Sequence, residues 1–266
     1  MRVAMFGDVV GRPGRRAALH YVARLRADDS VARPDFVVLN GENSAGGIGI
    51  TPEVADELLA GGVDVVTTGN HVWAKKEMAD YLLRQHRVLR PYNYPPDVPG
   101  RGWCIVNANG YRLAVLNLQG RTFMHPIDCP FRAADRALEE IGDQADAVVV
   151  EFHAEATSEK QALAMYLDGR VAAVVGTHTH VPTADERVLP GGTARLTDLG
   201  MCGPVVSVIG MDADTVIPKF MTALPSRFSV ASGPVAVMGA IIEIHHATGK
   251  CHSISRIMEE YDDTIR

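Results

Sequence analysis

Cysteine is scarce in this sequence, and no two cysteines stand close enough to form a motif. The 266 residues contain four, Cys104, Cys129, Cys202 and Cys251. Without a C-x-x-C pair, the sequence indicates neither a zinc ribbon nor a dithiol redox site. We expect these residues to be reduced thiols, most of them buried.

An excess of positive charge is also missing. Lysine and arginine total 26 against 32 aspartates and glutamates, which gives a formal net charge of -6. This balance offers no electrostatic surface for stable binding of long nucleic acids. A small anionic substrate would need local positive charge, which bound metal ions would supply.

Long apolar runs and a signal peptide are absent from the sequence as well. No apolar stretch is long enough to cross a bilayer, and the first residues, MRVAMFGDVVG, lack the regions of a secretory signal. We therefore expect a cytoplasmic protein with no membrane partner. Gly7, Gly11 and Gly14 do not match G-x-G-x-x-G, which disfavours a nicotinamide enzyme of the doubly wound class.

Short β-rich runs alternate with helical patterns along the chain, as in layered α/β proteins. Their near-continuous apolar character suits strands covered on both faces. Predicted strands span residues 2–6, 36–39, 63–67, 113–118, 147–152 and 171–175, and predicted helices span 15–27, 51–60, 75–84, 132–141 and 158–168. Thr51 and Pro52 form a favourable helix start. We expect one domain over residues 1–266, in which the Pro- and Gly-rich stretch 91–102 is a surface excursion.

Side chains that can bind metals follow five of these predicted strands. In chain order they are Asp8, Glu42 and Asn43, Asn70 and His71, His153, and His178 and His180. Because ligands bind at the carboxyl ends of strands in open α/β sheets, these residues should converge. Oxygen and imidazole ligands without thiolate suit Mn, Fe or Zn, whereas the histidines argue against Mg or Ca alone. The H-x-H spacing would place both imidazoles on one side of a strand.

Each residue alone has an ordinary structural explanation. An acid beside glycine is commonly a helix cap or a turn residue, and asparagine is a routine turn former. Only the ordered combination of residue types at successive strand ends indicates a metal centre. Arg12, Arg15 and Arg16 follow the first of these ends, and we interpret them as a solvated helix face rather than as phosphate ligands.

The ordered motifs GD, NGEN, GNH, FHAE and GTHTH resemble the signature of the calcineurin-like metallophosphoesterases. More specifically, GDVVGRPGR, NGENSAGGIGIT, TGNHVW, FHAEATSEK, GTHTHVPTAD and TDLGMCGP resemble the YmdB-like branch, whose members act as 2',3'-cyclic nucleotide phosphodiesterases. The motifs run from Gly7 to Pro204, and RFSVASG extends the likeness to Gly233. The resemblance implies an α/β fold of the metallophosphoesterase type, a two-sheet sandwich flanked by helices (α/β/β/α).

The resemblance also implies a dinuclear site with Fe or Mn, or alternatively Zn, as divalent or trivalent ions. Val10 stands where the wider superfamily has a histidine ligand, and Asn43 is the implied substitute. Glu42 would bridge both ions. The implied ligands of the first ion are Asp8, Glu42, Asn43 and His180, and those of the second are Glu42, Asn70, His153 and His178.

The implied reaction is hydrolysis of a small phosphodiester, with 2',3'-cyclic nucleotides as the leading substrates. A metal-bridging hydroxide would attack phosphorus, and His71 would act as general acid. A phosphomonoesterase or nuclease on the same site, and a metal-binding regulatory module without turnover, remain as alternatives. An apolar content of 47% leaves room for a homo-oligomer interface.

Overall fold

Two β-sheets pack face to face in the computed structural model, which describes residues 1–27 and 33–261. The strands are β1 (Arg2–Val9), β2 (Phe36–Asn40), β3 (Val65–Thr67), β4 (Val88–Leu89), β5 (Trp103–Ala108), β6 (Tyr111–Gln119), β7 (Ala147–His153), β8 (Ala173–Thr177), β9 (Arg187–Val188), β10 (Ala194–Leu196), β11 (Met201–Pro204), β12 (Val235–Ile244) and β13 (Cys251–Tyr261). The α-helices are α1 (Gly11–Ala27), α2 (Pro52–Ala60), α3 (Met78–Leu82), α4 (Pro130–Ile141), α5 (Thr157–Tyr166) and α6 (Ala213–Thr222).

The first sheet has the strand order β13-β12-β11-β1-β2-β3-β4, and β12 also pairs with β1. Strand β1 runs parallel to β2 and β11 and antiparallel to β12. The second sheet has the order β5-β6-β7-β8-β10-β9, in which β6, β7 and β8 are parallel. The carboxyl ends of β1, β2 and β3 therefore share one edge, and those of β7 and β8 share another.

Three apolar layers hold these elements together. Residues on alternate faces of each strand point to different layers, as the pleat requires. Phe6 and Leu39 pack beneath α1 and α2, Met5 and Phe36 pack between the two sheets, and Phe152 packs beneath α4 and α5. The predicted α/β/β/α arrangement is confirmed.

The predicted strands all exist, with bounds shifted by one to three residues. The predictions missed β4, β5, β9 to β13 and α6, and α3 is shorter than expected. The stretch 91–102, predicted as a surface excursion, carries the chain from β4 in the first sheet to β5 in the second. Asn93 in this stretch is buried and donates to the Gln119 carbonyl over 2.7 Å, so the connection is part of the packed structure.

Several smaller expectations can also be compared with the structure. Thr51 caps α2 by accepting a hydrogen bond from the Val54 N–H over 3.4 Å, and Pro52 occupies the first turn, as predicted. All four cysteines are free, and all but Cys129 are buried. Among the helices of the described residues, none has the length and hydrophobicity that crossing a membrane requires. A single domain over residues 1–266 stays a prediction.

Candidate metal centre

The predicted ligands come together where the carboxyl edges of the two sheets meet. In the first sheet Asp8 lies in β1, Glu42 and Asn43 follow β2, and Asn70 follows β3. In the second sheet His153 ends β7, and His178 and His180 follow β8. The register shift between Phe6 and Asp8 inserts Gly7 as an extra residue opposite β2. Such bulges re-aim a side chain, here the Asp8 carboxylate, which is completely buried.

One part of the site gathers around the His153 imidazole. Its Nε2 atom lies 2.9 Å from Glu42 Oε1, 3.0 Å from Asn70 Oδ1 and 3.0 Å from His178 Nδ1. Ligand atoms that each lie about 2.1 Å from one cation can be at most about 4.2 Å apart, so these separations suit a common ion. Glu42, His153 and His178 also form a His/Glu cluster that could hold a metal. This set is the one that the family resemblance implies for the second ion.

Hydrogen bonds on the far side of His153 determine which ring nitrogen faces the site. His153 Nδ1 lies 2.9 Å from Thr177 Oγ1, and the Thr177 hydroxyl donates to Glu151 Oε1 over 3.0 Å. Because that hydroxyl has one proton, it must accept from His153 Nδ1–H. In the neutral ring the lone pair is therefore on Nε2, which faces Glu42, Asn70 and His178. Metal-binding histidines are commonly oriented in this way.

The other part of the site lies around Asp8 and His180. His180 Nδ1 donates to the Ile209 carbonyl over 2.9 Å, which leaves Nε2 facing Asp8 Oδ1 at 3.9 Å. Asp8 Oδ1 and Asn43 Oδ1 are buried and have no hydrogen-bond partner among the described residues. Buried polar atoms are rarely left unpaired, and coordination to a cation would satisfy each of these oxygens. These residues therefore fit the ligand set implied for the first ion.

Glu42 contacts the His153 part of the site, and its charge also acts on Asp8 in the other part. Its Oε1 faces His153, and its Oε2 accepts the His71 N–H over 3.0 Å. Burial raises the pKa of Glu42, but His153 and His71 outweigh this and lower the pKa to about 2. Burial lowers the pKa of His153, yet Glu42, Asp8 and other carboxylates raise it to about 9. A cation on Nε2 would replace that proton while keeping the negative charge of Glu42 balanced.

The two histidines of the H-x-H motif do not belong to a strand, so the predicted reason for their spacing is wrong. Strand β8 ends at Thr177, and His178 and His180 follow with φ angles of 101° and 63°. The bend sends the two rings to different partners: His178 Nδ1 faces His153, and His180 Nε2 faces Asp8. Positive φ in residues other than glycine is strained and is concentrated at functional sites.

A buried ion pair supports this strained bend. Asp198 Oδ2 accepts from Lys160 Nζ over 2.6 Å and from the Thr179 hydroxyl over 2.8 Å. Lys160 and Asp198 are only 3% and 1% exposed. Sequence reasoning did not assign these residues a role, although both lie in the quoted motifs FHAEATSEK and TDLGMCGP. It also missed Glu155, whose Oε2 lies 3.1 Å from His178 Nε2 and orients that ring.

The site opens into a cleft of about 880 Å³, which we call the metal-site cleft. Its floor includes Glu42, Asn43, His178 and His180, and the His71 side chain is in its wall. Because the His71 N–H is bonded to Glu42, the ring is held beside the ligand cluster and open to the cleft. His71 is therefore placed to contact a molecule bound over the metals.

Gly69 allows the loop after β3 to pass directly over His153. A Cβ atom at Gly69 would lie 2.1 Å from the His153 ring, a distance that no side chain can tolerate. This close approach brings Asn70 and His71 to the site. The glycine of the GNH motif is thus required by the imidazole beneath it.

A comparison with known protein families identifies the family of this chain. The model of the YmdB-like proteins matches residues 4–257. The chain belongs to the YmdB-like family. The two-sheet fold is that of the calcineurin-like metallophosphoesterases, so the predictions of family and fold are confirmed.

Relatives extend over nearly the whole chain. A 2',3'-cyclic-nucleotide 2'-phosphodiesterase of Bacillus subtilis is 48% identical over 97% of each chain. The crystal structure of a hypothetical protein from Thermus thermophilus is similar with a TM-score of 0.91 and 45% identity, and covers 98% of this chain and 99% of that one. The structure of a novel phosphatase from Mycoplasma pneumoniae also gives a TM-score of 0.91, at 31% identity, with coverage of 99% and 95%. The names of the Bacillus subtilis and Mycoplasma pneumoniae proteins agree with the predicted class, a phosphoric ester hydrolase.

Gly69→Ala is expected to reduce metal affinity about 10- to 100-fold, the usual effect of displacing a ligand's support, because the new methyl group must move His153. Metal content by elemental analysis and a competition titration would measure the loss. Gly110→Ala is the control, since Gly110 has a φ of 78° and open space around it. That change should cost about 1 kcal/mol of stability through strain and leave the metal content unchanged. Equal metal binding by Gly69→Ala would contradict the close contact.

Lys160→Met is expected to lower the free energy of unfolding by about 3–5 kcal/mol, because Asp198 would remain buried without its partner. Chemical denaturation in the presence of a chelator would measure this without a contribution from bound metal. Arg170→Met removes an ion pair to Asp135 that is 40% and 34% exposed. That control should cost at most about 1 kcal/mol. If both variants lose the same small amount, the pair does not support the bend.

Proposed function

We propose that the chain is a dinuclear metal-dependent phosphodiesterase that hydrolyses small phosphodiesters, with 2',3'-cyclic nucleotides as the leading substrates. The observation that carries the proposal is the cluster of Glu42, Asn70, His153 and His178 beside the Asp8–His180 pair, with Glu42 and His180 lining one cleft. Membership of the YmdB-like family and the 48% identical Bacillus subtilis phosphodiesterase support it.

The proposed ligands of one ion are Asp8, Glu42, Asn43 and His180, and those of the other are Glu42, Asn70, His153 and His178. Two such ions would activate water and neutralise charge on the phosphoryl oxygens. Mixed nitrogen and oxygen ligands suit Fe or Mn, with Zn as the alternative. The two asparagines add neutral oxygen ligands, so the site does not accumulate excess negative charge.

The proposed role of His71 follows from its position. It neighbours the ligand Asn70, and its ring lines the cleft instead of joining the ligand cluster. From there it would donate a proton to the ribose oxygen that leaves when the cyclic ester opens. An alkoxide is a poor leaving group, so protonation of this oxygen accelerates the reaction.

The walls of the cleft suit the nucleoside part of such a substrate. Ile48, Met211, Phe220 and Phe228 give one side an apolar and aromatic surface, while Lys219 lies 5.0 Å from the centre of the Phe228 ring. Nucleobases stack on aromatic side chains largely irrespective of sequence. A small nucleotide is therefore favoured over a purely inorganic or sugar phosphate ester. A cytoplasmic location and a homo-oligomeric state both stay predictions.

His71→Gln should lower kcat for a 2',3'-cyclic nucleotide by about 10²- to 10⁴-fold, the typical contribution of a general acid. The loss should be much smaller with bis(4-nitrophenyl) phosphate, because nitrophenolate leaves without protonation. Steady-state kinetics on both esters, with the metal content measured on the same samples, would test this. His86→Gln, a change at an exposed histidine outside the cleft, should leave both rates unchanged. Equal losses on the two esters would contradict the general-acid role.

Chelation followed by dialysis is expected to abolish hydrolysis of every ester, and addition of Mn or Fe should restore it together with two ions per chain. The measurement compares 2',3'-cyclic AMP with an aryl phosphate monoester and diester and with a short RNA. A preference for the monoester or for internal RNA cleavage would indicate the alternative phosphomonoesterase or nuclease. A metal-loaded protein inert on all of them would indicate the regulatory module.

A further inference from the structure

A second cavity adjoins the metal-site cleft, and the proposed reaction does not use it. We call it the arginine cavity; its volume is about 690 Å³ and it is lined by Arg12, Gly46, Arg227, Phe228 and Ser229, among others. Phe228 lines both spaces, and Gly46 here adjoins Gly47 in the cleft. The arginine cavity is therefore next to the place where substrate would bind.

Arg12 is tied closely to the metal centre through its neighbour in the chain. The Gly11 N–H donates to the carbonyl of the proposed ligand Asn43 over 2.9 Å. Arg12 follows Gly11 in the first turn of α1. Its backbone is therefore bonded directly to the residue that contacts Asn43. The distance from this arginine to the ligands is thus fixed by packed backbone and not by a long surface loop.

Both guanidinium groups of this cavity are available to a ligand. Across residues 1–27 and 33–261, neither Arg12 nor Arg227 has a hydrogen bond or ion pair with another side chain or carbonyl, and both are exposed. Arg15, one turn further along α1, is different, because it binds Glu57 and the Ser44 carbonyl. On a chain with a net charge of -6, two unpaired arginines facing one cavity are unusual.

The chemistry of this cavity suits a phosphate group. Guanidinium binds phosphate oxygens with paired, charge-assisted hydrogen bonds, and two such groups can hold one phosphate from both sides. The ribose of a 2',3'-cyclic nucleotide has its cyclic ester at one end and its 5' oxygen at the other. With the cyclic ester over the metals and the sugar beside Phe228, the 5' side would face the arginine cavity.

We propose that Arg12 and Arg227 bind a phosphate attached to the 5' oxygen of the substrate, so that the preferred substrate is a 2',3'-cyclic nucleotide extended on its 5' side. This inference rests on the proposed function and leaves its hydrolytic step unchanged. The bound group is either a terminal 5'-phosphate or the phosphodiester of a preceding nucleotide. Two cations suffice for one such phosphate and do not create a surface for long nucleic acids.

The test compares kcat/KM for adenosine 2',3'-cyclic phosphate, for the same compound with a 5'-phosphate, and for a dinucleotide that ends in the cyclic phosphate. The wild-type protein should prefer at least one extended substrate about 10- to 100-fold over the bare nucleotide, the effect expected of charge-assisted hydrogen bonds. Arg12→Ala and Arg227→Ala should each lower that preference ratio by about 10-fold. The ratio is insensitive to a general loss of folded enzyme.

Arg16→Ala is the matched control, because Arg16 is an exposed arginine on α1 that lines neither cavity. It should leave the ratio unchanged. The wild type's choice between the 5'-phosphate and the dinucleotide identifies the source of the phosphate. Equal kcat/KM on all three substrates, or an equal effect of Arg16→Ala, would overturn the inference. No hydrolysis of any of them would instead refute the proposed function.

Discussion

Buried charge at the junction of the two sheets is the constraint on which the rest of the structure depends. Asp8 and Glu42 lose nearly all contact with water, which is costly for carboxylates unless positive charge or hydrogen-bond donors stand beside them. Burial raises the pKa of Asp8 for this reason. The groups that surround the two carboxylates are imidazoles and backbone N–H groups, and ring nitrogens and side-chain oxygens lie close enough together to share a cation. Such an arrangement fits cations better than it fits side chains alone.

His153 connects this buried charge to the packing of the two sheets. It ends β7 of the second sheet, yet its Nε2 contacts Glu42 and Asn70 after strands of the first. Behind it, Thr177 and the buried Glu151 hold the ring in one orientation, and burial raises the pKa of Glu151 to about 7 despite hydrogen bonds that lower it. The edges of the two sheets are thereby fixed relative to each other. The strained bend at His178 and His180 completes the site, and its strain is offset by the Lys160–Asp198 pair beneath it.

The strand ends and their polar residues could be predicted from the sequence because both signals are local. An apolar run that stops at Gly7-Asp8 or at Gly69-Asn70-His71 is visible within a few residues. Glu151 could not be assigned to the site in this way, since a lone acid in an apolar run acquires its role only from Thr67, Asn40 and Thr177 on other strands. The positive φ of His178 likewise accompanies a contact with a residue far along the chain, because the His178 N–H donates to Asp8 Oδ2 over 3.0 Å. Strand β13 was missed because its apolar residues are interrupted by polar ones, and β12 was missed although its residues form a buried apolar run.

The proposed chemistry depends on residues at the strand ends, whereas the proposed choice of substrate depends mainly on the peripheral walls of the cleft. The proposed ligands sit at or just after the ends of strands that are packed on both faces. The walls of the cleft come mainly from α6 and the segment around Phe228, which follow most of the recognisable motifs and pack less tightly. Loops and peripheral helices can change without disturbing the metal ligands, so relatives with the same centre can differ in the esters they accept. Arg12 is an exception: it follows the first ligand loop directly, so any part it has in substrate choice is tied to the rigid part of the site.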